Sequence, residues 1–340
     1  MELKKLLETL TALRGISGRE DAVREAILAE IKDHCESWTV DNLGNLLVEK
    51  KGRARAAKRV QFSAHMDEVG FIVTYIEEDG TLRFTPVGGV MASVTAARPV
   101  LVGENARPGV IGTKPIHLME KSEHEEYAKT SDMAIDIGAS SREEAQKLVK
   151  VGDMVTFAGG FTPMGNLVRA KAIDDRAGCA LLIKLIQSDL PYDCCFSFTV
   201  QEETGCAGAK AAAYSLAPEL AVAVEGTTAG DIPGAPAHKV VCRVGKGPVV
   251  SFMDKGTIYT RELYDAAFAA AQERGIPCQA KEGVFGGNES RNLQTARGGA
   301  KVLAVSVPVR YIHSGTSAAS LQDMEDTLRL LSALAETLPA

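Results

Sequence analysis

Beyond residue 168, short β-branched runs alternate with helix-patterned segments, and that alternation restricts the chain to one architecture. The helix patterns are IDDRAGCALLIKLIQ, CAGAKAAAYSL, RELYDAAFAAAQERG and DMEDTLRLLSALAETL; the strand patterns between them are CCFSFTVQEE, ELAVAVEG, GPVVSFMD and KVLAVSVPVRYIH. Strand–helix–strand units close into sheets with parallel neighbours, and their helices cover both faces. The expected fold class is α/β, a three-layer α/β/α sandwich around a mainly parallel sheet. Helices over 3–12 and 19–32, the turn-and-strand DNLGNLLVEK and the strand VQFSAH belong to the same layers.

Residues 67–167 break this pattern. FIVTYI and TLRFTPV flank the glycine-containing turn EEDG, which is a hairpin signal. RPVLVG, GVIGT and DMVTFAG continue as short strands, and only SREEAQKLV offers a helix. We therefore expect a discontinuous main domain, 1–66 and 168–340, interrupted by a β-barrel-like domain at 67–167. The polar stretch 114–133 reads as a long loop within it.

Five metal-binding residue types stand where apolar runs end: His65, Asp174, Glu203, Glu225 and His313. In an open parallel sheet, loops beyond the carboxyl ends of the strands converge on one crevice. Two imidazoles and three carboxylates meeting there make a ligand set for a pair of divalent cations. Each motif alone has a plainer reading. His65 and Asp67 form H-x-D, where i and i+2 share a face and the carboxylate can take the second imidazole N–H, although a buried histidine often needs no metal. Asp174 and Asp175 open a helix, yet one N-cap needs only one aspartate. Glu202 and Glu203 close a buried strand, where adjacent carboxylates must be protonated, paired or metal-bound. One ligand and one general base is the division of labour their chemistry suggests.

The formal charge of −6 and the pI near 5.7 argue against a nucleic-acid partner. The basic stretch at 50–59 reads as a solvated loop between strands. No apolar run reaches the ~18 residues of a membrane span, and the opening MELKKLLETLTALRG reads as an amphipathic helix rather than a secretory signal. Seven cysteines without a C-x-x-C pair suggest reduced thiols in a cytoplasmic protein, not a zinc–thiolate site. His34, His117, His124 and His238 read as surface residues, although the 114–133 loop could carry His117 and His124 toward an active site.

The motifs SAHMDEVGFIV, GVIGTKPIHL, KAIDDRAGCA, VQEETGCAGA, EGTTAGDIPG, VGKGP and VPVRYIHS occur in that order across nearly the whole chain. Together they resemble the co-catalytic metalloaminopeptidases that include glutamyl aminopeptidase and the tetrahedral (TET) aminopeptidases. The resemblance implies a zinc-peptidase-like sandwich and two divalent ions per subunit, zinc or cobalt in preference to manganese. One ion would be held by His65, Asp174 and Glu225, the other by Asp174, Glu203 and His313. Glu202 maps to the general base of a metal-bridging hydroxide, Asp67 to the group that orients His65, and 174–175 to a cis peptide. Peptide substrates, a lid or oligomerisation role for 67–167, and a dimer-based homo-oligomer that extends to a tetrahedral dodecamer are further implications. In that shell the loop near 120–130 would reach a neighbouring subunit's site.

Two positions depart from the family pattern: Glu225 stands where aspartate is common, and GGNES at 286–290 replaces the more usual run. Selection of an acidic N-terminal residue would need a cation in the first pocket, for which Arg291, Lys246 and Lys255 are candidates. A deacylase or carboxypeptidase with the same metals, a glycosidase using two carboxylates, and a non-catalytic binding protein remain alternatives at this stage.

Overall fold

The computed structural model describes residues 2–119 and 129–340. Four strands, Cys194–Thr199, Val60–His65, Leu220–Thr228 and Lys301–Arg310, lie side by side and pair parallel. All four therefore bring their carboxyl ends to one edge. Antiparallel strands flank them: Leu46–Lys50 and Ser37–Val40 on one side, Ser317–Ser320, Leu167–Ala170 and Thr162–Met164 on the other. The sheet is thus mixed: the expected parallel pairing holds its centre and recurs only off that path, between Val249–Val250 and Gln279–Ala280. Short connections such as those at 41–45 and 165–166 enforce antiparallel neighbours, because a parallel partner needs a long crossover.

Period-two alternation sorts side chains between two helical layers. Leu220, Val222, Val224, Leu303, Val305 and Val307 face the helices Glu2–Ala12, Asp21–Ile31, Ile173–Gln187, Arg261–Glu273 and Leu321–Thr337. The opposite face carries Ala221, Ala223 and Ala304. These small side chains let the alanine-rich helix Ala207–Leu216 approach closely, which completes the three layers.

Six strands between Gly70 and Phe157 close into a barrel with its own core, where Phe71 meets Phe84 and Phe157 edge-on at 5.1 and 5.2 Å. The chain already rejoins the large sheet at Thr162–Met164. The loop expected at 114–133 is described only at its ends. Residues 120–128, with His124, lie outside the described residues, as does most of the stretch expected to reach a neighbouring subunit. Among the described residues no helix is long and apolar enough to cross a membrane.

A buried ionic clamp joins the two domains at their crossing point. Glu68, just before the barrel, accepts from Lys171 Nζ at 2.7 Å and from the Gly15 amide at 3.2 Å. Lys171 also donates to the Leu13 carbonyl at 2.6 Å. Arg176, wholly buried, donates to the carbonyls of Leu10 and Met66 at 2.6 and 2.8 Å. Removing one member leaves an uncompensated buried charge, which typically destabilises by ~3–5 kcal/mol. Glu68→Ala should therefore lower the unfolding free energy by about that amount. A denaturant midpoint equal to that of the parent chain would show that the clamp contributes nothing.

Candidate metal centre

The parallel centre of the sheet and one helix deliver the site. His65 ends its strand and is buried. Glu225 lies inside Leu220–Thr228, three residues before that strand ends, rather than beyond it as expected. Glu202 and Glu203 sit in the turn that follows Cys194–Thr199, and His313 lies three residues past Lys301–Arg310. Asp174 precedes the regular part of its helix. Its neighbour Asp175 performs the capping instead, accepting from the Gly178 amide at 3.0 Å and from the His65 amide at 3.3 Å. The peptide bond between the two aspartates is cis.

These residues converge. Asp174 Oδ1 lies 3.5 Å from His65 Nε2, and its Oδ2 lies 3.4 Å from His313 Nε2. Glu225 Oε2 approaches His65 Nε2 at 3.6 Å, and Glu203 Oε2 approaches His313 Nε2 at 3.5 Å. Within each of two triads, His65–Asp174–Glu225 and Asp174–Glu203–His313, the ligand atoms lie inside 4.8 Å of one another. Glu202 belongs to a third such group with His65 and Glu203.

Asp67 meets His65 through its side chain, as its spacing suggests, and also through its main chain. The nearest partner of His65 Nδ1 is the Asp67 main-chain carbonyl at 3.0 Å, while the carboxylate stands at 3.5 Å. That carboxylate also accepts from the Glu202 and Glu203 amides at 3.0 and 3.1 Å and from the Ser17 hydroxyl at 2.6 Å. One buried aspartate thus fixes both the histidine turn and the E-E turn.

Backbone strain concentrates around the same residues. Ala172, Gln201, Cys206, Tyr311 and His313 all have φ between 53° and 60°. A left-handed conformation in a non-glycine residue costs about 1–3 kcal/mol and persists where the surroundings over-determine it. Glycines meet the ligands where no Cβ fits: one added at Gly226 would stand 2.8 Å from Asp174 Oδ1. The barrel contributes Gly88 and Gly89, where added Cβ atoms would approach Glu203 Oε2 and His313 Nδ1 at 3.3 and 3.1 Å.

Electrostatics mark the site as built for cations. Burial pushes Glu203 up to about 8 despite His313, and holds Glu225 well above and Glu202 above the usual carboxylate range. Burial disfavours a charged imidazole, yet the carboxylates around them hold His65 well above its ordinary value and His313 up to about 9. Asp174, between the two imidazoles, is shifted down although burial opposes it. Among the described residues, Asp174 Oδ1 and Glu225 Oε1 are buried without a hydrogen-bond partner. Unpaired carboxylate oxygens of this kind are what divalent cations satisfy, so the residues present fit the implied metals.

Sequence reasoning did not single out Glu289, a wholly buried carboxylate held by the Thr199 hydroxyl at 2.7 Å. Burial pushes it up to about 7. It follows Asn288 in the atypical GGNES run, where nothing in the local pattern signals burial. Arg291, Lys246 and Lys255 are all exposed and do not line the cavity beside the ligands; Lys281 does. His34, His117 and His238 are exposed, as expected.

Residues 44–330 match the profile of the M42 glutamyl aminopeptidases. A putative aminopeptidase of Acetivibrio thermocellus is 40% identical over 330 residues, which span 96% of this chain and 96% of that protein. The TET aminopeptidase of a marine sediment archaeon of the Thaumarchaeota superposes with a TM-score of 0.95 at 32% identity, covering 99% of this chain and 96% of that one. The TET1 peptidase of Pyrococcus horikoshii, which can assemble into a tetrahedron or a large octahedral shell, gives a TM-score of 0.87 at 36% identity over 98% and 99% of the two chains. The family suggested by the order of the sequence motifs is thereby established, and with it the class of reaction: the chain belongs to the M42 glutamyl aminopeptidase family, whose members are peptide hydrolases.

Proposed function

We propose that the chain removes N-terminal residues from peptides with two divalent cations as cofactors. His65, Asp174 and Glu225 would hold one, and Asp174, Glu203 and His313 the other. The observation that carries this reading is the position of Asp174, whose two oxygens face different histidines. Zinc, cobalt and manganese all suit a mixed imidazole–carboxylate set. Bound there, the cations supply Lewis acidity toward the scissile carbonyl and make hydroxide available near neutral pH.

Glu202 supplies the proton chemistry. Asp67 anchors its amide, and the Cys206 thiol meets its Oε1 at 3.2 Å, so the carboxylate is oriented rather than free. It takes the proton of the attacking water and returns it to the departing amine nitrogen. The barrel, assigned to 67–167, serves as a lid over the site; its Gly89 carbonyl faces His313 Nδ1 at 3.3 Å. A cytoplasmic location agrees with seven free cysteines.

Glu202→Gln should lower turnover by roughly 10²–10⁴-fold while elemental analysis still finds bound metal. His313→Ala should instead lower metal content. Near-parental activity in the first variant would remove Glu202 from the role of base. Assays on aminoacyl, acylamino and carboxy-terminal substrates separate an aminopeptidase from a deacylase or carboxypeptidase.

Metal loading should release protons. Near pH 7 the metal-free Glu203 is mostly protonated and His313 mostly charged, whereas ligation needs the anion and the neutral imidazole. Affinity should therefore fall as pH drops below about 9, where His313 protonates, and more steeply below about 8, where Glu203 does. Calorimetry at pH 7 in buffers of different ionisation heat should show release of about one proton or more per chain. No release would contradict this ligand set.

By analogy with its shell-forming relative, the chain assembles into a homo-oligomer built from dimers and extending to a tetrahedral dodecamer. Light scattering should give a multiple of the 36.1 kDa chain mass; the mass of a single chain would defeat the assembly.

A further inference from the structure

The turn that carries Glu202 and Glu203 is held from outside by side chains of distant segments. Four consecutive amides, those of Val200, Gln201, Glu202 and Glu203, each donate to a side-chain oxygen. The Val200 amide donates to Asn45 Oδ1 at 3.0 Å, and the Gln201 amide to Glu20 Oε1 at 3.1 Å. The next two go to the two oxygens of Asp67. All three acceptor side chains are buried.

The catalytic scheme uses Asp67 but leaves Glu20 without a role. Glu20 precedes the helix Asp21–Ile31, yet its side chain makes no capping bond to that helix. It turns the other way, and the Oε1 that takes the Gln201 amide also takes that of Gly18 at 2.8 Å. Burial and the nearby Asp67 push its carboxyl up, and those two amides oppose the shift. The loop that carries Glu20 is itself fixed. Ser17 donates its hydroxyl to Asp67 Oδ2 at 2.6 Å. Arg14 reaches the barrel, donating to the Gly103 carbonyl at 2.7 Å and the Thr156 hydroxyl at 2.9 Å.

Gln201 is the point in the turn where such a hold has most effect. Its φ of 57° lies in the left-handed region, which a non-glycine residue keeps only where its surroundings impose it. Relaxation at Gln201 tilts the following peptide and re-aims Glu202 first. Glu203 lies one residue further on, and its amide stays with Asp67.

We propose that Glu20 is a positioning residue for hydrolysis: by holding the Gln201 amide it keeps that residue left-handed and so aims the Glu202 carboxylate. The assignment rests on the aminopeptidase reading with Glu202 as base.

Two variants separate reach from charge, assayed as metal-loaded protein on aminoacyl p-nitroanilides. Glu20→Asp keeps the charge but falls one methylene short of the Gln201 amide. Its kcat should drop roughly ten- to a hundredfold, with KM and metal content near the parent values. Glu20→Gln keeps an acceptor oxygen at full reach and should retain kcat within about threefold. In a Glu202→Gln background no base remains to be aimed, so Glu20→Asp should change kcat by less than about twofold. Parental kcat in Glu20→Asp overturns the assignment, as does an equal loss in Glu20→Gln. Loss of metal, or the same fold-loss in the Glu202→Gln background, also overturns it, since Glu20 would then be a structural contact alone. A parent chain that hydrolyses no aminoacyl substrate, or a Glu202→Gln enzyme as active as the parent, defeats the underlying reading and the assignment with it.

Discussion

Everything in this structure is arranged around an electrostatic debt at one edge of the sheet. Asp67, Asp174, Glu202, Glu203, Glu225 and Glu289 are gathered around two imidazoles, mostly out of contact with water. Left to themselves, such groups protonate: four of them, Glu202, Glu203, Glu225 and Glu289, are held above the ordinary carboxylate range by burial. The fold must force them together, since nothing in their mutual interactions would do so. Strand pairing, the barrel glycines and the strained turns provide that force.

The supporting contacts form a layered system. Asp67 ties the H-x-D segment to the E-E turn, and Asp175 ties it to the helix that carries Asp174. Beneath them, Glu68, Lys171 and Arg176 lock the N-terminal loop to the base of the barrel. Each is a buried polar group with its hydrogen bonds satisfied, so each restricts geometry more than it adds net stability. Precision at the ligands thus rests on an ionic layer that touches no substrate.

Much of this was legible in the residues. The parallel centre follows from strands separated by helices, and the positions of His65, Glu203 and His313, three of the five proposed ligands, follow from where those strands stop. The barrel was visible as hairpin texture. What escaped depends on contacts between distant segments. Glu225 was placed beyond its strand because the apolar run LAVAV ends there, whereas hydrogen bonding to Lys301–Arg310 continues to Thr228. The Asp67 carboxylate was paired with His65 from i, i+2 spacing, but its further partners, amides 135 and 136 residues away, leave no local pattern.

Because the ligands come from four different strands and one helix, no partial chain can own the centre. The Lys301–Arg310 strand supplies both a sheet neighbour for Leu220–Thr228 and the turn bearing His313. The proposed centre is complete only once Lys301–Arg310 has paired with Leu220–Thr228 and carried His313 to Asp174.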